Sequence, residues 1–166
     1  MTENTLRRFA DHLCRRPDAQ AHIKGSTKYP AVNGCIRFYQ TPQGVLIAAE
    51  LHDLPDKDKP FRSGVFGFHI HSGSCCTGNS ADPFADAKMH YDPNDLDHPY
   101  HAGDLPPLFS NCGYALSVFL TDRFSLDEVI GRTVIVHSDP DDFTAQPSGN
   151  SGEKLACGRI ISRCCN

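Results

Sequence analysis

Short apolar-rich runs separated by turn-forming residues make up most of this chain. Each run is bounded by glycine, proline, asparagine or aspartate, which is typical of β-strands joined by turns. The pattern predicts eight strands, at residues 21–24, 34–39, 45–51, 65–71, 114–120, 127–130, 133–137 and 155–161. Because no helical pattern separates these runs, we predict an all-β fold, an eight-stranded antiparallel Greek-key sandwich or barrel of the immunoglobulin-like kind.

A helical pattern is found near the N-terminus. Leu6, Phe9 and Leu13 are spaced as residues on one face of a helix. We therefore predict a short amphipathic helix within residues 1–19, which either lies on the domain or forms a mobile arm. The β-barrel domain is predicted to follow at residues 20–166.

Two long segments interrupt the strand pattern. Residues 72–112 show no period and are rich in glycine, proline, aspartate, asparagine and histidine, and a second loop is predicted at 138–154. A loop of about forty residues inside a compact domain is unusual and is commonly functional or disordered. Because the longer one contains several histidine and aspartate side chains, we predict that bound metal orders it.

The composition excludes several classes of function. The net charge of −4 provides no general attraction to nucleic acid or to an anionic membrane. No stretch approaches the 18 apolar residues that would indicate a transmembrane helix. Residues 1–16 lack the continuous apolar segment of a secretory signal, so we expect a cytoplasmic location.

The chain has eight cysteines, and no two have Cys-x-x-Cys spacing. In a reducing compartment most of them are expected to be thiols or metal ligands. The adjacent pairs Cys75–Cys76 and Cys164–Cys165 cannot easily form a bridge within the pair, because disulfide geometry would strain the backbone. A disulfide partner for any of them must come from elsewhere in the chain.

Two histidines one residue apart lie in the apolar run at 67–71. Residues i and i+2 of a strand point to the same face, so His69 and His71 present two imidazoles side by side. Imidazole is a common ligand of copper and zinc. His137 ends another apolar strand, where a buried imidazole without a partner would be costly.

More candidate ligands lie in the long loop. His98, His101 and Asp104 form a His-x-x-His-x-x-Asp sequence, and His90 precedes them. Zinc prefers four nitrogen, sulfur or oxygen ligands in a tetrahedron, and short spacings of this kind suit it. Since at least four imidazoles flank one loop, we predict two metal ions.

Two other families with a His-x-His sequence do not fit. A metallo-β-lactamase-like hydrolase would continue as His-x-His-x-Asp-His, whereas Ser72, Gly73 and Ser74 follow here. A cupin would have a glutamate a few residues later, where this chain has Cys75 and Cys76.

A series of short motifs resembles the copper/zinc superoxide dismutase family. The motifs stand in the family's order: Gly67-Phe68-His69-Ile70-His71, His90-Tyr91-Asp92-Pro93, His101-Ala102-Gly103-Asp104-Leu105-Pro106, Gly131-Arg132-Thr133-Val134-Ile135-Val136-His137, Asp141-Asp142, Gly149-Asn150-Ser151-Gly152 and Leu155-Ala156-Cys157-Gly158. The similarity covers residues 21–161 and leaves the N-terminal helix and the tail at 163–166 outside it. It implies an enzyme that disproportionates superoxide to dioxygen and hydrogen peroxide by redox cycling of a histidine-bound copper, with zinc as a structural ion.

The resemblance also implies a role for individual residues. Copper would be bound by His69, His71, His90 and His137, and zinc by His90, His98, His101 and Asp104. His90 would bridge the two ions and deliver a proton to the developing peroxide. Asp141 would link a copper histidine to a zinc histidine, and Cys76 and Cys157 would form a disulfide. Lys154 would act with His90 in catalysis.

This chain departs from the family pattern at two points. Lys154 stands where the family usually has an active-site arginine, and it keeps the positive charge but not the planar fork. His98 and His101 are also more closely spaced than is common in the family, which makes a copper-only enzyme one alternative. A second alternative is a catalytically impaired relative that binds copper or has a structural role.

The expected partner is the superoxide anion. Neither nucleic acid nor a membrane is expected to bind, given the charge and the lack of long apolar segments. The sequence leaves the oligomeric state open, with a homodimer as one option.

Overall fold

Nine antiparallel strands account for most of the regular structure within residues 4–55 and 64–163, the part of the chain that the computed structural model describes. The strands are β1 (Ala19–Gly25), β2 (Asn33–Thr41), β3 (Gly44–His52), β4 (Val65–Phe66), β5 (Phe68–His71), β6 (Leu108–Asn111), β7 (Tyr114–Thr121), β8 (Thr133–His137) and β9 (Lys154–Ser162). Two helices, α1 (Asn4–Leu13) and α2 (Leu126–Val129), and a 3₁₀ turn at Ala85–Ala87 accompany them.

The strands form one sheet that nearly closes into a barrel. Their order is β4-β6-β7-β3-β2-β1-β9-β8-β5. The first and last strands of this order, β4 and β5, are consecutive in the chain with Gly67 between them, so the two ends of the sheet adjoin. Strands β3 and β4, β5 and β6, and β7 and β8 are consecutive in the chain but are not neighbours in this order, as in a Greek key. The predicted all-β Greek-key fold is confirmed.

The barrel interior is filled by alternate residues of the strands. Phe38, Ile47, Phe68 and Ile70 are completely buried in one continuous apolar core. Burying a side chain of this size contributes roughly 1.5–3 kcal/mol to folding. Because side chains of a strand alternate between faces, the inward Phe68 and Ile70 direct the histidines of β5 to the opposite face.

The helix α1 lies on the outside of the barrel. Phe9 packs against a small buried cluster formed by Tyr39, Leu46 and Ala48 of β2 and β3. The short N-terminal helix is therefore confirmed, although the division of the chain after residue 19 stays a prediction. No helix among the described residues is long and apolar enough to cross a membrane.

The strand predicted at 127–130 is wrong, because this segment belongs to α2. Leu126 and Val129 are both buried, and their spacing of three places them on one face of a helical turn. The Glu128 carboxylate turns back to accept a hydrogen bond from the Ser125 backbone N–H at 2.6 Å, as in a capping box.

Two further strand boundaries differ from the prediction. The strand predicted at 65–71 is divided at Gly67 into β4 and β5, and β6 lies in the segment that was predicted to be a single loop. In β6 the polar Ser110 is buried and the apolar Phe109 is exposed. This inversion at Phe109 and Ser110 hides the strand from a hydrophobicity pattern. The described residues therefore contain nine strands rather than the predicted eight.

The long loop is hydrogen-bonded along the outer edge of β5. The Ile70 backbone N–H donates to the Gly103 carbonyl at 2.9 Å, and the Tyr91 N–H donates to the Ile70 carbonyl at 2.8 Å. Further along, the Leu105 N–H donates to the Phe68 carbonyl at 3.3 Å. The loop that contains the candidate ligands therefore continues the sheet beyond its last strand.

A disulfide attaches the same loop to β9. Cys76 in the loop is bonded to Cys157, as the family resemblance implies. Phe84, Ala87 and Ile135 pack around the bond in a separate apolar cluster. Cys14, Cys35, Cys75 and Cys112 are free thiols, and Cys164 and Cys165 lie outside the described residues.

We expect Cys76→Ser to destabilise the protein strongly. The disulfide joins residues 81 positions apart, and a cross-link that closes a loop of this length contributes about 4 kcal/mol in the chain-entropy account. The thermal midpoint of the metal-free protein should fall by roughly 10 °C, as measured by differential scanning calorimetry. Cys75→Ser removes the neighbouring exposed thiol and should leave the midpoint unchanged. An equal loss in both variants would contradict the assignment of the effect to the cross-link.

Candidate metal centre

A first group of four histidines meets where β5 and β8 face the long loop. His69 and His71 come from β5, His137 ends β8, and His90 is held against His71 by an isolated β-bridge. All four are buried, and their ligand nitrogens lie within 4.8 Å of one another. We call these residues the four-histidine group.

A second group lies directly beside the first and shares His90 with it. Its other members are His98, His101 and Asp104, again buried, with ligand atoms within 4.8 Å of one another. We call this the Asp104 group. Although His98 and His101 are closely spaced in sequence, both rings belong to the Asp104 group. All seven ligand residues expected from the sequence are thus brought together.

His90 faces both groups with different nitrogens. Its Nδ1 lies 2.7 Å from Asp104 Oδ1, in hydrogen-bond geometry. Its Nε2, on the other side of the ring, is buried without a hydrogen-bond partner among the described residues. The rings of His69 and His90 are close, with centroids 3.9 Å apart. A single imidazole therefore connects the two groups.

Hydrogen bonds to the remaining ring nitrogens fix the tautomers of the four-histidine group. The His71 Nδ1–H donates to the Lys88 carbonyl at 2.8 Å, and the His137 Nδ1–H donates to the Gly152 carbonyl at 3.4 Å. Because a carbonyl oxygen can only accept, the Nε2 lone pairs of His71 and His137 are left free, and these two atoms lie 3.2 Å apart. Acceptors that fix a ring in this way are typical of metal-binding histidines.

Asp141 links one histidine of each group. Its carboxylate accepts hydrogen bonds from His69 Nε2 at 2.7 Å and from His98 Nε2 at 2.8 Å. Burial alone would raise the pKa of Asp141, but these bonds and one from the Phe143 backbone N–H hold that pKa well below its usual value. Because the ionised carboxylate accepts a hydrogen bond from the Nε2–H of each ring, the Nδ1 atoms of His69 and His98 each keep a free lone pair.

The loop can approach Asp141 so closely only because residue 149 is glycine. Gly149 has a φ of +66°, and a Cβ atom there would lie 2.0 Å from Asp141 Oδ1. Any side chain would therefore displace the carboxylate. This accounts for the glycine that begins the motif at 149–152.

The donor set fits metal ions. Four buried imidazole nitrogens have no hydrogen-bond partner among the described residues: His69 Nδ1, His90 Nε2, His98 Nδ1 and His101 Nδ1. The last two lie 3.1 and 3.3 Å from Asp104 Oδ2 without the geometry of a hydrogen bond. An unpaired polar atom in the interior is costly, and a cation coordinated by these lone pairs would remove the cost.

Burial also keeps three of the imidazoles neutral. It lowers the pKa of His69 to about 4 and that of His137 to about 3, and it lowers the pKa of His71 well below its usual value. At neutral pH these rings carry no proton on the nitrogen that faces the group. Metal binding there does not have to displace a proton from these three side chains.

A cavity of about 290 Å³ opens on to the four-histidine group. Lys154 lines it, as do His71 and His137, and the Lys154 ammonium donates to Asp82 Oδ2 at 2.7 Å and to the Phe84 carbonyl at 3.1 Å. The predicted catalytic lysine therefore lies on the wall of the cavity with its charge partly offset by a carboxylate.

Lys88 and Asp82 also line this cavity, and the sequence did not identify either of them. No salt bridge to Lys88 is present among the described residues, so its charge at the cavity wall is not offset. The position of Lys88, two residues before the candidate ligand His90, was the sequence feature that could have identified it. No comparable signal pointed to Asp82, because its ion pair with Lys154 spans 72 residues of sequence.

Comparisons with known proteins agree with this geometry. The family model described as copper/zinc superoxide dismutase (SODC) matches residues 32–160, well over half of the chain. Superoxide dismutase [Cu-Zn] of Legionella pneumophila is 35% identical over 151 residues, covering 86% of this chain and 86% of the relative. Superoxide dismutase [Cu-Zn] 2 of Aquifex aeolicus is 30% identical over 158 residues, covering 86% and 87%.

A solved structure agrees at the level of the fold. The Cu/Zn superoxide dismutase from Brucella abortus superposes with a TM-score of 0.71 at 25% sequence identity, and the match covers 85% of this chain and 98% of that one. With the family model matched across both donor groups and relatives similar over nearly their whole length, this chain belongs to the copper/zinc superoxide dismutase family.

Proposed function

We propose that this protein is a superoxide dismutase, which converts superoxide to dioxygen and hydrogen peroxide. The observation that carries the proposal is the pair of buried donor groups joined by one imidazole, His90. The alternative of a catalytically impaired relative would be favoured by a missing ligand. All four histidines of the four-histidine group are present, and their free lone pairs support the active enzyme.

The donor sets support one metal at each group. We assign copper to the four-histidine group, because four imidazoles and no carboxylate suit it, and zinc to the Asp104 group, where three imidazoles and a carboxylate suit a tetrahedral ion. When bound, copper supplies the one-electron exchange with superoxide, and zinc supplies a fixed positive charge. The copper-only alternative would leave the free Nδ1 atoms of His98 and His101 unpaired, which argues against it.

The chain's own residues orient the ligands and handle the proton. His90 Nε2 is the buried nitrogen positioned to hold a proton and release it to the peroxide product. Asp141 keeps His69 and His98 in one orientation through its two oxygens. Lys88 and Lys154 place positive charge on the wall of the cavity, where it attracts a small anion whatever the net charge of the protein.

Metal analysis combined with a superoxide-consumption assay tests the function. We expect the purified protein, after incubation with both ions, to hold one copper and one zinc per chain and to consume superoxide at a rate near the diffusion limit. Copper bound without catalytic consumption of superoxide would contradict the proposal and favour the impaired relative.

We expect Lys154→Met to lower kcat/KM for superoxide by roughly three- to ten-fold at low ionic strength, because the substitution removes one partly screened positive charge from the wall of the cavity that the anion enters. The difference should shrink in 0.2 M salt because the charge is screened. Pulse radiolysis or stopped-flow measurement of superoxide decay provides the rate. Lys154→Arg keeps the charge and should retain or raise the rate.

Lys24→Met is the matched control for Lys154, since this exposed lysine lies on β1 and does not line the cavity. If the two methionine variants lose the same activity, Lys154 has no special role in attracting superoxide.

The superoxide anion is the partner that this proposal implies. The cytoplasmic location and the homodimer stay predictions, to be tested by cell fractionation and by analytical ultracentrifugation. The net charge of −4 provides no general attraction to nucleic acid.

A further inference from the structure

A second cavity shares no lining residue with either donor group, and four arginines line it. It has a volume of about 510 Å³ and lies where the end of α1 and the α1–β1 connection meet the outer face of β1 and β2 and the end of β9. Its lining residues are Cys14, Arg15, Arg16, Pro17, Gln20, His22, Cys35, Arg37 and Arg163. No aspartate or glutamate is among them. We call it the arginine cavity.

The positive charge of this cavity is only partly neutralised. Arg37 donates to Glu50 Oε2 at 3.2 Å. The guanidinium groups of Arg15, Arg16 and Arg163 form no salt bridge with any carboxylate in the described part of the chain. In a protein with a net charge of −4, three guanidinium groups that lack a carboxylate partner among the described residues are gathered around one cavity.

The Cys35 thiol does not offset this charge. Burial raises the pKa of Cys35, although Arg37 and Arg163 act in the opposite direction. The Cys35 thiol is therefore neutral at physiological pH. On the cavity wall, Gln20 and His22 are hydrogen-bonded to each other at 3.0 Å between Nε2 atoms. The lining therefore contains four guanidinium groups and no carboxylate.

Guanidinium groups present paired donors that match the oxygens of phosphate. A single phosphate could be reached by one or two of them, whereas the arginines here are distributed around the cavity, from the α1–β1 connection to the end of β9. A ligand with two linked phosphates carries several negative charges and more acceptor oxygens than one phosphate, so it can bind more of these guanidinium groups at once. We propose that the arginine cavity binds a phosphoanhydride anion, either free pyrophosphate or the diphosphate of a nucleotide.

Isothermal titration calorimetry on the metal-loaded protein in 0.1 M NaCl tests the proposal, with pyrophosphate, ADP and inorganic phosphate as separate ligands. We expect pyrophosphate to bind with one site per chain and inorganic phosphate to bind at least ten-fold more weakly. Equal affinity for ADP and pyrophosphate would indicate that only the phosphates are contacted, and tighter binding of ADP would identify the nucleotide. Absence of any saturable binding of pyrophosphate and ADP would overturn the proposal.

The variant Arg16→Gln/Arg163→Gln should weaken pyrophosphate binding roughly ten-fold or more, because each substitution removes charge-assisted hydrogen bonds. Arg7→Gln is the matched control, since Arg7 is an exposed arginine of α1 that does not line the cavity. An equal loss in the control would show that only general charge attraction is involved, which contradicts the proposal. Dismutase activity should be unchanged in both variants, because none of these residues belongs to a donor group.

The cysteines provide a second, independent readout. Cys14 is exposed and lines the cavity, whereas Cys112 is exposed and lies elsewhere. Pyrophosphate should slow the alkylation of Cys14 by iodoacetamide, measured by peptide mass spectrometry, and should not slow that of Cys112. Equal protection of both thiols, or of neither, would place the anion outside this cavity.

Discussion

Replacing His90 with alanine is expected to abolish superoxide dismutation. His90 is the one side chain shared by the four-histidine group and the Asp104 group, so the substitution removes a ligand from each. It also removes the nitrogen that we propose delivers a proton, and general acid catalysis alone contributes roughly 10²- to 10⁴-fold to a rate. We expect the rate of superoxide consumption to fall by about three orders of magnitude or more, and the two metals to bind independently of each other.

The measurements for His90→Ala are superoxide decay after pulse radiolysis and metal content after dialysis against a chelator. His90→Gln keeps most of the side-chain volume and should be equally inactive, which separates loss of the imidazole from a packing defect. His52→Ala, at an exposed histidine on β3, should retain full activity. Unchanged activity in His90→Ala would refute the bridging role.

The substitution Asp141→Asn is expected to weaken binding of both metals. Asp141 accepts hydrogen bonds from His69 and from His98 with different oxygens. An asparagine has a single acceptor oxygen, so one imidazole would face an amide N–H₂ group and would turn or change tautomer. Loss of such a supporting partner typically costs 10- to 100-fold in metal affinity, and competition with a chromophoric chelator would measure it.

The neighbouring residue provides the control for Asp141. Asp142 bonds to the backbone N–H groups of Thr144 and Ala145 and to the Asn150 side chain, all within its own loop. If Asp141 acts by orienting the imidazoles, Asp142→Asn should change metal affinity by less than a factor of three. A comparable loss in both variants would mean that the order of the loop, and not the link between two histidines, determines metal binding.

Most strands could be predicted from the sequence because each buries a face in the core. The segment at 127–130 shows where that reasoning fails. A short run with two apolar residues fits a strand or a helical turn equally well, and the Ser125–Glu128 capping box was the local signal for the turn. The strand β6 was missed because its exposed residue, Phe109, is more apolar than the buried Ser110.

The candidate ligands could be identified from spacing and from the family resemblance, but their local chemistry could not. Which nitrogen of His71 stays free depends on the Lys88 carbonyl, which lies in a loop without any period. The ionisation of Asp141 depends on two histidines that are 72 and 43 residues away in sequence. Contacts of this kind follow from the closed tertiary structure, not from local preference.

The hydrogen bonds between the long loop and the outer edge of β5 have a consequence beyond the site itself. An uncovered edge strand presents unpaired N–H and C=O groups that can pair with another chain. In this protein the Ile70 N–H donates to the Gly103 carbonyl and the Ile70 carbonyl accepts from the Tyr91 N–H, so neither group of Ile70 is unpaired. Conditions that detach the loop, such as reduction of the Cys76–Cys157 bond together with loss of metal, would uncover an apolar edge and promote aggregation by β-strand addition.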